Sequence, residues 1–220
     1  MSYKYVLFDM DGTVLNTLDD LRDAVNHTLQ KFGMPDVSSE EVAHYLGNGA
    51  GHLIECSAPE GTDPALIETI LAEYLPYYKA NCRVKTAPYP GITDLMMQMK
   101  SEGIKMAVVS NKPDAATKEL SELFFGDLVE ITIGETPLIK RKPAPDTVFE
   151  AIRAMGADIS ECVYIGDTEV DIQTAENAGT DCISVTWGFR TEDELIAAGA
   201  KMIAHSMDEL SQLIQGSTNN

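Results

Sequence analysis

The sequence predicts an α/β fold: a doubly wound parallel sheet, strand order 3-2-1-4-5, with an inserted helical subdomain. Three observations carry that expectation. Residues 3–8 form an almost unbroken apolar run in which Val6, Leu7 and Phe8 are adjacent rather than alternating, as in a strand buried on both faces. Beyond residue 85, short apolar runs alternate with stretches of helical periodicity, the rhythm of a parallel sheet. Between residues 17 and 84 only helical periodicity occurs. The expected domains are therefore an α/β core of residues 1–16 and 85–220, and a helical insert of residues 17–84.

The first strand ends in Asp9-Met10-Asp11-Gly12-Thr13. A strand repeats every two residues, so Asp9 and Asp11 point the same way while Met10 points into the core. Like charges held that close persist only if a cation sits between them or one keeps its proton. Gly12 permits a sharp turn after the second acid, and Thr13 adds a hydroxyl. One reading is a Mg²⁺ site in which one carboxylate can also attack an electrophile. The other is a pair of turn-forming aspartates that cap a strand.

The insert opens with Thr17 as a potential cap for a helix over 18–32, whose stripe is Leu18, Leu21, Val25, Thr28, Leu29 and Phe32. A second helix starts near Ser39 and breaks at Gly47-Asn48-Gly49. These three residues read either as a loop with backbone N–H groups facing a ligand or as a plain interhelical turn. A helix over 51–57 follows, then a longer one capped by Asp63 with Leu66, Ile67, Ile70, Leu71, Tyr74, Leu75 and Tyr78 on one stripe. Tyr74, Tyr77 and Tyr78 are expected to be packing residues. Ala87-Pro88-Tyr89-Pro90-Gly91 is a stiff return to the core, and residues 14–17 and 84–90 are the candidate hinges.

In the core, a helix carries Ile92, Leu95, Met96 and Met99 inward, and a strand over 104–109 ends in Ser110-Asn111-Lys112-Pro113. A hydroxyl, an amide and free backbone N–H groups before a helix suit an oxyanion. The helix over 114–124 is expected to turn Ala116, Leu120, Leu123 and Phe124 to the sheet. After a strand over 129–133, Lys140-Arg141-Lys142 precedes Pro143 and Pro145, and one of these cations is expected to face phosphate. Asp146 would cap a helix with Val148, Phe149, Ile152 and Met155 inward. The strand over 162–165 delivers Gly166-Asp167-Thr168-Glu169-Val170-Asp171, again acids at a strand end and one helical turn apart. A strand over 183–186 ends in Trp187-Gly188-Phe189-Arg190, and a weak strand over 202–204, a final helix and a polar tail over 216–220 close the chain.

Composition narrows the function. With 35 acidic and 16 basic residues the formal charge is −19, and no basic cluster is longer than residues 140–142, so nucleic acid and anionic membranes are not expected partners. Cys56, Cys82, Cys162 and Cys182 are scattered without zinc spacing, Cys162 and Cys182 reading as buried thiols. No signal-peptide pattern or membrane-length apolar run occurs, and a reducing cytoplasm is the expected location. Neither GxGxxG nor a P-loop follows any strand. Ser110 lacks a GxSxG elbow, and His27, His44, His52 and His205 read as surface or turn residues.

With right-handed crossovers and the first strand central, this Rossmann-like sheet has its switch point between strands one and four. Asp9 and Asp11 then lie beside Asp167, with Ser110 to one side and Lys142 reaching in from its loop. Three carboxylates, a hydroxyl, an amide and a lysine describe a Mg²⁺-assisted phosphoryl-transfer site.

The ordered set of residues 9–13, Ser110-Asn111, Lys142-Pro143 and residues 166–171 resembles the four signature motifs of the haloacid dehalogenase-like hydrolase superfamily, and the insert resembles its C1-type cap. Gly47-Asn48-Gly49, Pro90-Gly91 and Thr186-Trp187-Gly188 resemble the phosphoglycolate phosphatase branch. The resemblance implies a Mg²⁺-dependent phosphatase, cytoplasmic, monomer or homodimer, acting on a small phosphorylated metabolite. It implies Asp9 as nucleophile and Asp11 as acid and base. It implies Mg²⁺ on Asp9, the Asp11 carbonyl and Asp167, supported by Asp171. Ser110 and Lys142 would hold the phosphoryl group with Asn111 and Thr13 assisting, while Gly47, Asn48, Gly49 and Arg190 are the candidates for substrate selection. The carboxylate of phosphoglycolate needs a cation, yet the insert and its exit offer only Arg22, Lys31, Lys79, Arg83 and Lys85. A β-phosphoglucomutase-like phosphomutase, a pyrophosphatase and a broad sugar-phosphate phosphatase remain alternatives, with a non-catalytic binding module the remote one.

Overall fold

The first apolar run becomes β1 (Tyr5–Phe8). In a computed structural model that describes residues 3–216, Val6, Leu7 and Phe8 are fully buried. Val6 and Phe8 join one hydrophobic cluster and Leu7 the other, so the strand divides two cores. Burying each of these side chains contributes about 1.5–3 kcal/mol, which is why this strand takes the centre. Residues 217–220 of the polar tail lie outside the described residues.

Next come β2 (Leu15–Asn16), the insert helices α1 (Leu18–Lys31), α2 (Ser39–Tyr45), α3 (Gly49–Ser57) and α4 (Pro64–Asn81), and then β3 (Ala87–Pro88). The core continues with α5 (Ile92–Ser101), β4 (Lys105–Pro113), α6 (Asp114–Phe124), β5 (Ile131–Glu135), α7 (Asp146–Met155), β6 (Cys162–Gly166) and α8 (Glu169–Ala178). It ends with β7 (Asp181–Val185), α9 (Glu192–Ala197), β8 (Met202–Ala204) and α10 (Met207–Ile214). The main sheet has the order β5-β4-β1-β6-β7-β8, and every neighbouring pair is parallel. The five expected strands thus lie in the expected order, and the weak strand over 202–204 extends the sheet to six. Side chains of α5, α6 and α10 pack on the Val6 face, those of α7 and α8 on the Leu7 face.

Several inward assignments are corrected. Leu123 is 54% and Phe149 48% exposed. The buried stripe of α6 is instead Ala116, Thr117, Leu120 and Ser121, and that of α7 is Thr147, Val148, Ala151 and Met155, because small residues let the helices approach the sheet. On α4, Leu66 and Leu75 lie outside and Ile70, Tyr74 and Tyr78 inside. Pro145, not Asp146, occupies the cap of α7, and Cys182 is only partly buried. Among the described residues, no helix is long and apolar enough to cross a membrane.

The insert leaves and rejoins the core through a two-stranded antiparallel ribbon, with Leu15 opposite Pro88 and Asn16 opposite Ala87. The return segment is therefore paired chain rather than a bare turn. Asp20, buried in the first turn of α1, ties it down: its carboxylate accepts from the Lys85 N–H at 3.0 Å, and from the N–H and hydroxyl of Thr86 at 2.8 Å each. Asp20→Ala leaves these buried donors unpaired and is expected to cost about 2–4 kcal/mol in urea unfolding. A loss below about 0.5 kcal/mol would show that the carboxylate does not brace the ribbon.

Candidate active site

Four of the chain's carboxylates gather where β1 and β6 end. One oxygen each of Asp9, Asp167 and Asp171 lie within 4.8 Å of one another, and all three residues are buried. The Lys142 ammonium sits among them, 2.7 Å from Asp9 Oδ1, 2.8 Å from Asp171 Oδ1 and 3.0 Å from the Tyr164 hydroxyl. Lys142 is the cation of residues 140–142 that turns inward; Lys140 and Arg141 are exposed. Asp11 stands apart from the three, its Oδ2 paired with Lys112 at 2.9 Å and its Oδ1 buried without a partner among the described residues.

Each acid is held by the element that delivers it. Asp171 Oδ2 accepts from the Thr168 hydroxyl at 2.7 Å and from its N–H at 3.1 Å, a capping box at the start of α8. Asp167 accepts from the Thr13 hydroxyl at 2.9 Å and from the Phe189 N–H at 2.7 Å. Gly12 and Gly188 press against it: a Cβ on either would lie 2.2 or 2.3 Å from the Asp167 side chain, and Gly12 has φ +86° besides. Only glycine admits both the turn and the acid.

One lysine does not balance three buried acids. Burial raises Asp9 from its ordinary 3.8 to about 7; Lys142 pulls it down, and Asp171 and Asp11 push it up. Burial, then Asp171 and Asp9, hold Asp167 well above the usual carboxylate range. Burial opposes the charge on Lys142, yet Asp171 and Asp9 outweigh it and hold the amine above its usual value. A cluster of hard oxygen donors with surplus negative charge fits a divalent cation, and Asp9, Asp167 and Asp171 would hold it.

A cleft partly open to solvent lies between these strand ends and the insert. Asp9, Asp11, Ser110, Asn111 and Lys142 line it, as do Gly47 and Gly49, but Asn48 does not. Asn111 acts as a brace: it accepts from the Lys142 N–H at 2.8 Å and donates to the carbonyls of Lys142 and Gly47, each at 2.9 Å. Thr13 is spent on Asp167. Gly49 begins α3 and Asn48 is its cap, while Gly47 lies in the turn after α2, so Gly47-Asn48-Gly49 is an interhelical turn with both glycines on the cleft wall. Arg190 lies outside the cleft lining. Its guanidinium donates to Glu169 and to the carbonyls of Ala43, His44 and Leu46, clamping the end of α2 to the core. None of the four histidines lines the cleft.

Two cleft residues were not expected. Lys112 is buried, with its ammonium bonded to the Tyr78 hydroxyl and 4.5 Å from the centre of that ring. Tyr78 stacks on Tyr74, and both line the cleft rather than serve packing alone. Ser110-Asn111-Lys112 is the end of β4, where the register shifts past Val109, and all three residues line the cleft.

The sequence profile of the haloacid dehalogenase-like hydrolases matches residues 6–185. The chain belongs to that family. It is 30% identical over 219 residues to a phosphoglycolate phosphatase of Pseudomonas putida, an alignment that spans 97% of this chain and 79% of that one. A crystal structure from Lactobacillus delbrueckii subsp. bulgaricus, provisionally named a phosphoglycolate phosphatase, superposes with a TM-score of 0.94 at 36% identity over 98% of this chain and 100% of that one. CbbY from Rhodobacter sphaeroides, solved in complex with phosphate, superposes with a TM-score of 0.78 at 25% identity over 94% of this chain and 96% of that one. A CbbY variant holds xylulose-(1,5)bisphosphate. With these relatives the chain is a phosphatase of the family.

The charge surplus makes a prediction. Asp9 titrates at about 7 when folded against an ordinary 3.8, so the folded chain keeps a proton that the unfolded chain releases, and stability falls as pH rises through that window. Without divalent metal, Asp9→Asn should therefore unfold several degrees above the unchanged chain at about pH 8, with the gap narrowing toward about pH 4.5. Thermal unfolding by circular dichroism in EDTA checks this. Coincident midpoints at the higher pH would contradict the repulsion.

Proposed function

We propose that the chain is a Mg²⁺-dependent phosphomonoesterase that acts on a small phosphorylated metabolite, phosphoglycolate foremost, through an aspartyl-phosphate on Asp9. The observation that supports this reading is the pairing of a buried nucleophile with a second acid: Asp9 is anchored by Lys142, while Asp11, held by Lys112 through Oδ2, keeps a buried Oδ1 without a partner among the described residues.

In this mechanism an Asp9 oxygen attacks phosphorus as the bond from phosphorus to the ester oxygen breaks, and Asp11 delivers its proton to the departing alkoxide. Asp11, now a carboxylate, takes a proton from water as that oxygen attacks the phosphoryl group, releasing inorganic phosphate and restoring Asp9. Lys142 and the Ser110 hydroxyl face the phosphoryl oxygens, where negative charge accumulates. Asn111 and Thr13 act one step back, by holding Lys142 and Asp167. Mg²⁺, carried by Asp9, Asp167, the Asp11 carbonyl and Asp171, would neutralise the phosphate charge on approach to a strongly acidic chain.

The insert of residues 17–84 serves as a cap in this reading, turning about the β2–β3 ribbon to exclude water other than the hydrolytic one. The chain's charge of −19 favours a small metabolite over nucleic acid or an anionic membrane as its partner. A cytoplasmic monomer or homodimer accommodates all of this. The ester held by the CbbY variant keeps a broader sugar-phosphate activity as the second reading.

Phosphate release from phosphoglycolate, hexose phosphates, nucleotides and pyrophosphate, with Mg²⁺ and with EDTA, tests the proposal. One ester should stand well above the rest, and EDTA should abolish turnover. Asp9→Asn should lose about a thousandfold or more in kcat while folding normally. Retained Mg²⁺-dependent activity in that variant would sink the nucleophile assignment.

A further inference from the structure

Lys112 is a buried cleft cation with hydrogen-bonding capacity to spare. An ammonium carries three hydrogens. One goes to Asp11 Oδ2 at 2.9 Å and one to the Tyr78 hydroxyl, and no third partner occurs among the described residues. Tyr78 accepts that bond through its oxygen, and its own hydrogen has no acceptor among the described residues. Lys142, by contrast, sits among Asp9, Asp171 and Tyr164 at the phosphoryl end of the cleft in the reading above. Around the two spare donors the insert side of the cleft is apolar, with Leu21, Leu46, Ala50 and Leu53 on its wall.

The other cations of the insert and its exit lie outside the cleft lining: Arg22 pairs with Asp19 and Asp23, Lys31 with Glu73, Arg83 with Glu119 and Lys85 with Asp23, and Lys79 is exposed. A leaving group that enters this half of the cleft therefore meets the Lys112 ammonium and the Tyr78 hydroxyl on a largely apolar wall, with Tyr74 stacked on Tyr78.

We propose that the Lys112 ammonium and the Tyr78 hydroxyl together grip a carboxylate on the leaving group, one donor from the core and one from the insert, so that phosphoesters of short hydroxy acids are the substrate class. The assignment rests on the phosphomonoesterase reading above. A carboxylate among apolar side chains loses its water and stays only if a cation and donors replace it. Two donors from different sides match its two oxygens. Asp11, which would face the ester oxygen, contacts the same ammonium, and in phosphoglycolate two bonds separate the ester oxygen from the carboxylate carbon. A neutral alcohol leaves the pair unsatisfied, which is how a polar site rejects an analogue.

The test compares kcat/KM for phosphoglycolate with that for ethylene glycol monophosphate, in which a hydroxymethyl group replaces the carboxylate. The unchanged chain should prefer the acid. Lys112→Met should slow both esters, because Lys112 also holds Asp11, but should cut the preference by about 30-fold or more. Tyr78→Phe, which keeps the ring and its packing, should cut it about fivefold, chiefly through KM. An unchanged preference in both variants would overturn the grip and leave Lys112 as a residue that positions Asp11. Metal-dependent release without preference in the unchanged chain would overturn it while sparing the phosphomonoesterase reading; no release from any ester would overturn both.

Discussion

The Lys142 ammonium is the contact on which the strand-end arrangement depends. Asp9 and Asp171 approach it at 2.7 and 2.8 Å, one from the end of β1 and one from the first turn of α8, and neither acid could be buried there without it. The loop after β5 must therefore carry Lys142 inward, and Asn111 fixes that loop by bonding its backbone on both sides. Once β1 and β6 meet this cation through Asp9 and Tyr164, and β4 holds its backbone through Asn111, their order in the sheet is constrained by polar contacts as well as by burial. The fold and the site are then one problem, since exchanging two central strands would strand an acid in the core.

What was legible in the sequence follows from periodicity that is local. Val6-Leu7-Phe8 announced a central strand because three adjacent apolar residues can all be buried only in a two-sided sheet. Asp9 and Asp11 were legible as a pair because alternation continues past the strand end, and Asp167 with Asp171 because a helical turn separates them. Lys112 was missed for a related reason. Read as a capped turn, Ser110-Asn111-Lys112-Pro113 offers its backbone and its short polar side chains; only the irregular end of β4 brings the Lys112 side chain to the cleft as well. Tyr78 was obscured by its stripe, because an aromatic every fourth residue on a helix has the same pattern whether it faces a core or a cleft.

Long-range polar contacts were not legible at all. Asp20 looks like any acid in a first helical turn, and only the fold brings the Lys85 and Thr86 N–H groups to it across 65 residues. Arg190 looks like a cleft cation after a strand, and only the placement of α2 shows it spent on three carbonyls. Such partners carry no signal in spacing. They are set by how two elements dock, which apolar periodicity specifies in outline but not to the ångström.

Insert and core share one hydrophobic cluster, and polar contacts join them at the cleft as well. Asn111 meets the Gly47 carbonyl, Lys112 meets Tyr78, and Arg190 meets the end of α2. Polar contacts of this kind lose little when broken where water can replace them, whereas the shared apolar cluster resists separation. In the proposed cap reading, opening would therefore part the polar contacts at the cleft while the apolar contacts and the β2–β3 ribbon, braced by Asp20, hold the root. Tyr78 and Lys112 stand among those polar contacts, on the cleft wall.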